Sequence, residues 1–207
     1  MPQKPNESPY SLHPAVILVQ NWMAKLREKT GKSLEDWIRL TKKSGPSGEK
    51  ECAAWLKKNH KLGTNEAAWI ASRAAGKAIE DFDPDTYLKS AQGFVEAMYA
   101  GPKAALRPLY ERLLQLGRGL GKDVRVSPCK TFVPLYRKHV FGQIKPTTQT
   151  RIDLGLALGR TKTPRRLIDT GGLAKGDRIT HRIPIGSLAD IDDGVKRWLR
   201  TAYELDA

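Results

Sequence analysis

The sequence predicts an α+β protein, with a small all-helical amino-terminal unit followed by an antiparallel sheet packed with helices. Three observations carry this reading. Apolar residues recur at helical spacing from Val19 to Ala74, the period changes to two after Asp123, and helical spacing returns near the carboxy terminus. The acidic, proline-containing stretch EDFDPD at residues 80–85 separates the first pattern from the rest and is the expected linker. The expected division is a flexible arm over 1–13, a four-helix unit over 14–79, the linker over 80–85 and a basic α+β domain over 86–207.

The arm, MPQKPNESPYSLH, has three prolines and little apolar content. A first helix follows Pro14, with Val19, Trp22, Met23 and Leu26 on one face up to the break at Gly31. Ser33 and Asp36 stand at capping-box spacing and open a second helix that turns Leu34, Trp37 and Ile38 inward. Gly45, Pro46 and Gly48 end it. Cys52, Trp55 and Leu56 mark a third helix closing near His60, and Thr64 or Asn65 is the expected N-cap of a fourth, with Ala67, Ile70, Ala71 and Ala74 as its small-residue face.

Beyond the linker, Tyr87, Leu88, Ala91, Phe94, Val95 and Met98 predict one amphipathic helix, stopped at Gly101 and Pro102. Leu106, Leu109, Tyr110, Leu113 and Leu114 predict another, with Pro108 near its start and glycines at 117, 119 and 121 at its end. Alternation at Val124 and Val126, and again from Ile152 to Leu158, predicts strands; turn signals divide the region into about four, with a further one around Arg178–Ile185. Pro134 within one of them implies an edge or a bulge. Ser187 and Asp190, at capping-box spacing, are expected to open a terminal helix through Ile191, Val195, Trp198, Leu199 and Ala202 that covers the sheet.

Across 207 residues, 36 basic against 22 acidic side chains give a net charge of +14. That excess is regional: residues 1–85 carry +3, residues 86–207 carry +11, and Lys103–Arg182 alone carries +13. A basic region of this size points to a nucleic acid or another polyanion as partner. Cys52 and Cys129 are distant and form no CxxC pair, which suggests neither a disulfide framework nor a zinc ribbon and fits a reducing cytoplasm. The apolar run Ala15–Val19 is too short for a signal core or a membrane span, so a cytoplasmic protein without a membrane partner is expected.

Two blocks of sequence carry a family resemblance. TGKSLEDWIRL with KECAAWLKKNHKLGTNEAAWIA resembles the bacterial domain-of-unknown-function family 4287, and PCKTFVPLYRKHVFGQIKP with RIDLGLALG resembles family 5655. Whole motifs agree in order over most of the chain. The resemblance implies two domains and transfers no chemistry, because both families are uncharacterised.

Candidate sites are few. The glycines of LGRGLGKD lack the spacing of a phosphate loop and join helix to strand, the reverse of the required order, so they read as a helix end and turn. The helices flanking LGT could be taken for a helix-turn-helix presenting Asn65, Glu66 and Trp69, but that first turn holds no Arg or Lys for phosphates. Cys129, His139 and His181 have no metal-ligand or nucleophile spacing. Asp153 and Asp169 are scattered carboxylates expected to pair with arginines such as Arg151 and Arg166. No catalytic residue, metal site or cofactor is predicted, and a non-enzymatic binding protein is the preferred reading; an enzyme would need a close cluster such as Asp153 with His139 or Cys129.

The basic set is the strongest signal. Lys130, Arg137, Lys138, His139, Lys145, Arg151, Arg160, Lys162, Arg165 and Arg166 are the expected polyanion contacts, with Tyr136 and Phe141 as surfaces on which a base could stack. An alternative is a small anionic ligand or peptide-binding module with no nucleic-acid role, its pocket ringed by Lys130, Tyr136 and Arg137.

Overall fold

The computed structural model describes residues 8–77, 83–162, 164 and 166–207. Contacts cluster into two units, one over Leu12–Tyr87 and one that joins the described residues before Leu12 to Leu88–Ala207.

The first unit holds helices α1 (Pro14–Thr30), α2 (Leu34–Ser44), α3 (Glu49–His60) and α4 (Thr64–Ala74). Their apolar stripes meet in one core of Val19, Leu26, Trp37, Leu56, Ala67 and Ile70, with Trp22, Trp55 and Trp69 packed at its margin. The capping box at α2 forms as its spacing implies: the Ser33 hydroxyl accepts from Asp36 N and the Asp36 carboxylate accepts from Ser33 N. At α4 the cap lies one residue earlier than expected. Gly63 is the N-cap and Thr64 the first helical residue, because Glu66 reaches back to the Gly63 amide at 2.9 Å and fixes the helix start there.

The second unit contains α5 (Pro84–Met98) from Leu88 onward, a six-residue 3₁₀ turn at Gly101–Leu106, α6 (Arg107–Arg118), a six-stranded sheet and α7 (Asp193–Glu204). The expected linker falls partly on residues 80–82, outside the described residues, while Pro84 and Asp85 already belong to α5. The strands are β1 (Arg125–Val126), β2 (Val133–Tyr136), β3 (Val140–Pro146), β4 (Ile152–Leu156), β5 (Ile168–Asp169) and β6 (His181–Ile185). They lie in the order β1-β2-β3-β4-β6-β5, antiparallel throughout.

Registered partners divide the sheet into two faces. Val133, Ile144, Leu154 and Ile183 lie across one face with Leu135, Gly142, Leu156 and His181 beside them, and α6 and α7 cover it. Gly117 of α6 permits the close approach, since a Cβ there would stand 2.7 Å from Leu135 Cδ1. The opposite face carries Pro134, Gln143, Lys145, Asp153 and Arg182. Pro134 sits on the interior strand β2 beside a register shift at Leu135/Tyr136, so the proline coincides with the bulge and not with a sheet edge.

Two sequence expectations change here. Residues 8–11 are held to the second unit: Ser11 N donates to Val126 O at 2.7 Å, and Tyr10 packs on the core with its hydroxyl 3.2 Å from that of Tyr110. The Ser187–Asp190 box caps only a 3₁₀ turn at Leu188–Asp190, and α7 opens two residues later on Asp192, whose carboxylate accepts from Val195 N. No helix among the described residues is long and apolar enough to cross a membrane.

Candidate functional site

Strand direction sorts the predicted cations between the two ends of the sheet. The β2–β3 turn, Arg137–His139, and the start of the 157–167 connection leave one end, whereas the turn before β2 and the β3–β4 turn lie at the other. Arg137, Lys138, His139, Arg160 and Lys162 therefore belong to the first end, and Lys130, Lys145 and Arg151 to the second.

At the first end Arg137 and His139 are paired internally. Arg137 donates from Nε to Asp123 Oδ2 at 2.8 Å and stacks 4.4 Å from the Tyr203 ring centroid. The hydrogen bond from Arg137, seconded by the Tyr203 hydroxyl, lowers the Asp123 carboxyl below its ordinary range; the same contact raises Arg137. Asp206 is buried and gathers the His139 amide at 2.7 Å, the His139 ring at 3.0 Å and Arg178 at 2.7 Å. Lys138, Arg160 and Lys162 are exposed.

The second end forms an open cleft of about 630 Å³. Its walls come from three segments: the end of α5 with the following 3₁₀ turn, the 128–132 turn, and the β3–β4 turn. Each contributes a lysine, respectively Lys103, Lys130 and Lys145. Lys103 Nζ donates to Pro146 O at 2.7 Å, which ties the 3₁₀ turn to the end of β3. Lys130 Nζ lies 5.7 Å from the Phe94 ring centroid, within reach of a cation–π contact. Lys145 lies on the face opposite to α6 and α7 and is exposed. Thr131, Thr147 and Gln149 add hydroxyl and amide groups to the wall.

Asp153 organises the sheet beside this cleft. Its Oδ2 accepts from Arg182 Nη1 at 2.8 Å and from Thr147 Oγ1 at 2.9 Å, and Arg151 Nε stands 3.0 Å from Oδ1. The Arg151 contact is an ion pair by distance without hydrogen-bond geometry, so Arg182 is the firmer partner.

Several predicted residues take other places. Phe141 is fully buried against Tyr203 and offers no stacking surface; the bulge turns it into the core. Tyr136 is half-buried, and burial raises its hydroxyl pKa. Arg166 pairs with Asp192 and Asp190, not with Asp169, whose carboxylate accepts from Gly171 N. Arg165 and Thr163 lie outside the described residues. Lys130 lines the cleft before β2, whereas Arg137, beyond the other end of β2, is paired with Asp123. Likewise Asp153 lies toward one end of the sheet and His139 in the turn at the other, so those two do not meet. Among the described residues there is no group of three metal-capable side chains.

Sequence reasoning missed a second basic surface. A groove of about 600 Å³ runs between α6 and α7, with Arg112, Lys196, Arg197 and Arg200 on its rim. The signal was present in the register of α7, where residues 196, 197 and 200 fall opposite the buried Val195, Leu199 and Ala202.

No curated protein and no solved structure matches the chain. Residues 19–75 match a family described as a domain of unknown function, DUF4287. Residues 95–206, more than half of the chain and almost all of the second unit, match a further domain of unknown function, DUF5655, and the protein belongs to that family.

Proposed function

We propose that the chain is a cytoplasmic, non-enzymatic nucleic-acid-binding protein whose second unit holds the phosphate backbone at the three-lysine cleft. The observation that carries this reading is the convergence of Lys103, Lys130 and Lys145, from three separate segments, on one open cleft. Lysines present compact, hydrated charges on flexible stems, which suit phosphodiesters without selecting a base sequence. Lys138, Arg160 and Lys162 extend the positive field around the same unit. The open form of the cleft favours a polymer passing through it over an enclosed small anion.

The test is the salt dependence of binding to a labelled duplex and a labelled single strand. Each phosphate-contacting lysine replaced by alanine reduces the slope of log K against log salt by about one, uniformly across sequences. Lys145→Ala is the first variant, since its side chain is exposed and its loss leaves the fold intact. Binding that ignores salt, or no binding to either probe at low salt, overturns the proposal.

A further inference from the structure

The groove between α6 and α7 differs in chemistry from the lysine cleft. Three of its four cations are arginines, Arg112, Arg197 and Arg200, and its floor is made by Leu116, Leu120 and Leu199. Leu199 is buried, while Leu116 and Leu120 are half-buried and supply apolar surface to the groove. Lys196 pairs with Asp193 at 2.8 Å and Arg112 donates to Gln115 at 2.6 Å. Arg197 and Arg200, exposed on successive turns of α7, have no hydrogen-bonded carboxylate among the described residues.

An occupant must satisfy both halves of this surface. Phosphodiester backbone complements the arginines and leaves the leucine floor covered by nothing apolar. A free carboxylate or phosphate has the same shortfall. A helix with leucine-like side chains on one stripe and Asp or Glu on both flanks meets both, laying apolar anchors between α6 and α7 while guanidinium forks take its carboxylates. Asp193 at the start of α7 repels acid locally, so the complementary acidic charge lies toward Arg197 and Arg200.

We infer that the α6–α7 groove is a protein-docking surface for an acidic, amphipathic helical segment of a partner, separate from the nucleic-acid cleft. This does not rest on the proposed nucleic-acid function, because the two surfaces share no lining residue.

The probe is a fluorescein-labelled peptide of about 14 residues, with leucines at helical anchor spacing and glutamates on the flanks. A peptide of identical composition with the leucines scrambled is its control. With the full chain, the amphipathic peptide raises fluorescence anisotropy saturably, and the scrambled one binds at least about tenfold more weakly. The pair Arg197→Gln and Arg200→Gln weakens binding by about tenfold or more with an unchanged circular dichroism spectrum, while Lys145→Ala leaves it unaltered. Equal binding of both peptides, no binding of either, or insensitivity to the arginine substitutions overturns the inference. So does displacement of the peptide by duplex DNA whose own binding depends on Arg197 and Arg200, which would make the groove a phosphate-binding face.

Discussion

Glu66 performs two tasks with one side chain. Its carboxylate accepts from Gly63 N at the start of α4 and pairs with Lys29 of α1, while the residue itself is buried. The hydrogen bond from Lys29, helped by the Gly63 amide, lowers its pKa against the opposing effect of burial. Because the folded-state pKa lies below the unfolded one, the charged form contributes stability that is present above the ordinary carboxylate range and is lost as pH falls through the lowered value. Glu66→Gln is therefore expected to flatten the acid limb of the stability-versus-pH curve of the helical unit, measured by urea denaturation followed by tryptophan fluorescence. An acid limb as steep as that of the parent protein would contradict this. At Phe141 the prediction separates core from binding face. Phe141→Ala removes a fully buried ring and should cost about 3–5 kcal/mol of stability. A variant of parental stability with weakened single-strand binding would restore the stacking role that burial denies it.

Helix ends show how far local spacing can be trusted. The Ser33 and Asp36 pair was legible because both of its hydrogen bonds close within one turn, and it forms as spaced. The Ser187 and Asp190 pair is equally good locally, yet its acid also accepts from Gly186 N and stands near Arg166, and it closes a 3₁₀ turn while α7 waits for Asp192. Asp192→Ala is predicted to cost about 1 kcal/mol through loss of the Val195 amide contact. Asp192→Asn should cost less, since an amide oxygen retains the cap and only the ion pair with Arg166 disappears. Thermal denaturation of both variants checks the order; an Asn variant as weak as Ala would assign the effect to the ion pair. Strand periodicity was legible for β4 and β6, whose inward residues alternate strictly, and for β3 it failed where the bulge against β2 put Phe141 inside.

At the scale of the whole chain, the sequence made the division into a helical and a basic α+β part readable, since the charge balance changes beyond residue 85 and the periodicity after Asp123. The site was readable only in part. Lys130 and Lys145 stood in the predicted set, but Lys103 did not, because its place in the cleft depends on a 3₁₀ turn meeting the end of β3, 43 positions further along the chain. Arginines that looked available, Arg137 and Arg166, are committed to Asp123 and Asp192, partners too remote in sequence for composition to reveal. Separate cores also predict separable unfolding. Asp206→Ala releases His139 and Arg178 from a buried carboxylate and should destabilise the second unit by about 1–3 kcal/mol. The fluorescence transition of Trp22, Trp37, Trp55 and Trp69 should stay in place; a matching shift would show that the units unfold together. The pairing of Ser11 with Val126 bears on synthesis. The two residues are 115 apart, so at ribosomal speed the amino-terminal strip waits about 6–23 s for the strand it pairs with. The helical core needs nothing made later than Ala71 and can form during that interval, leaving residues 8–11 to be recovered as the nascent sheet emerges.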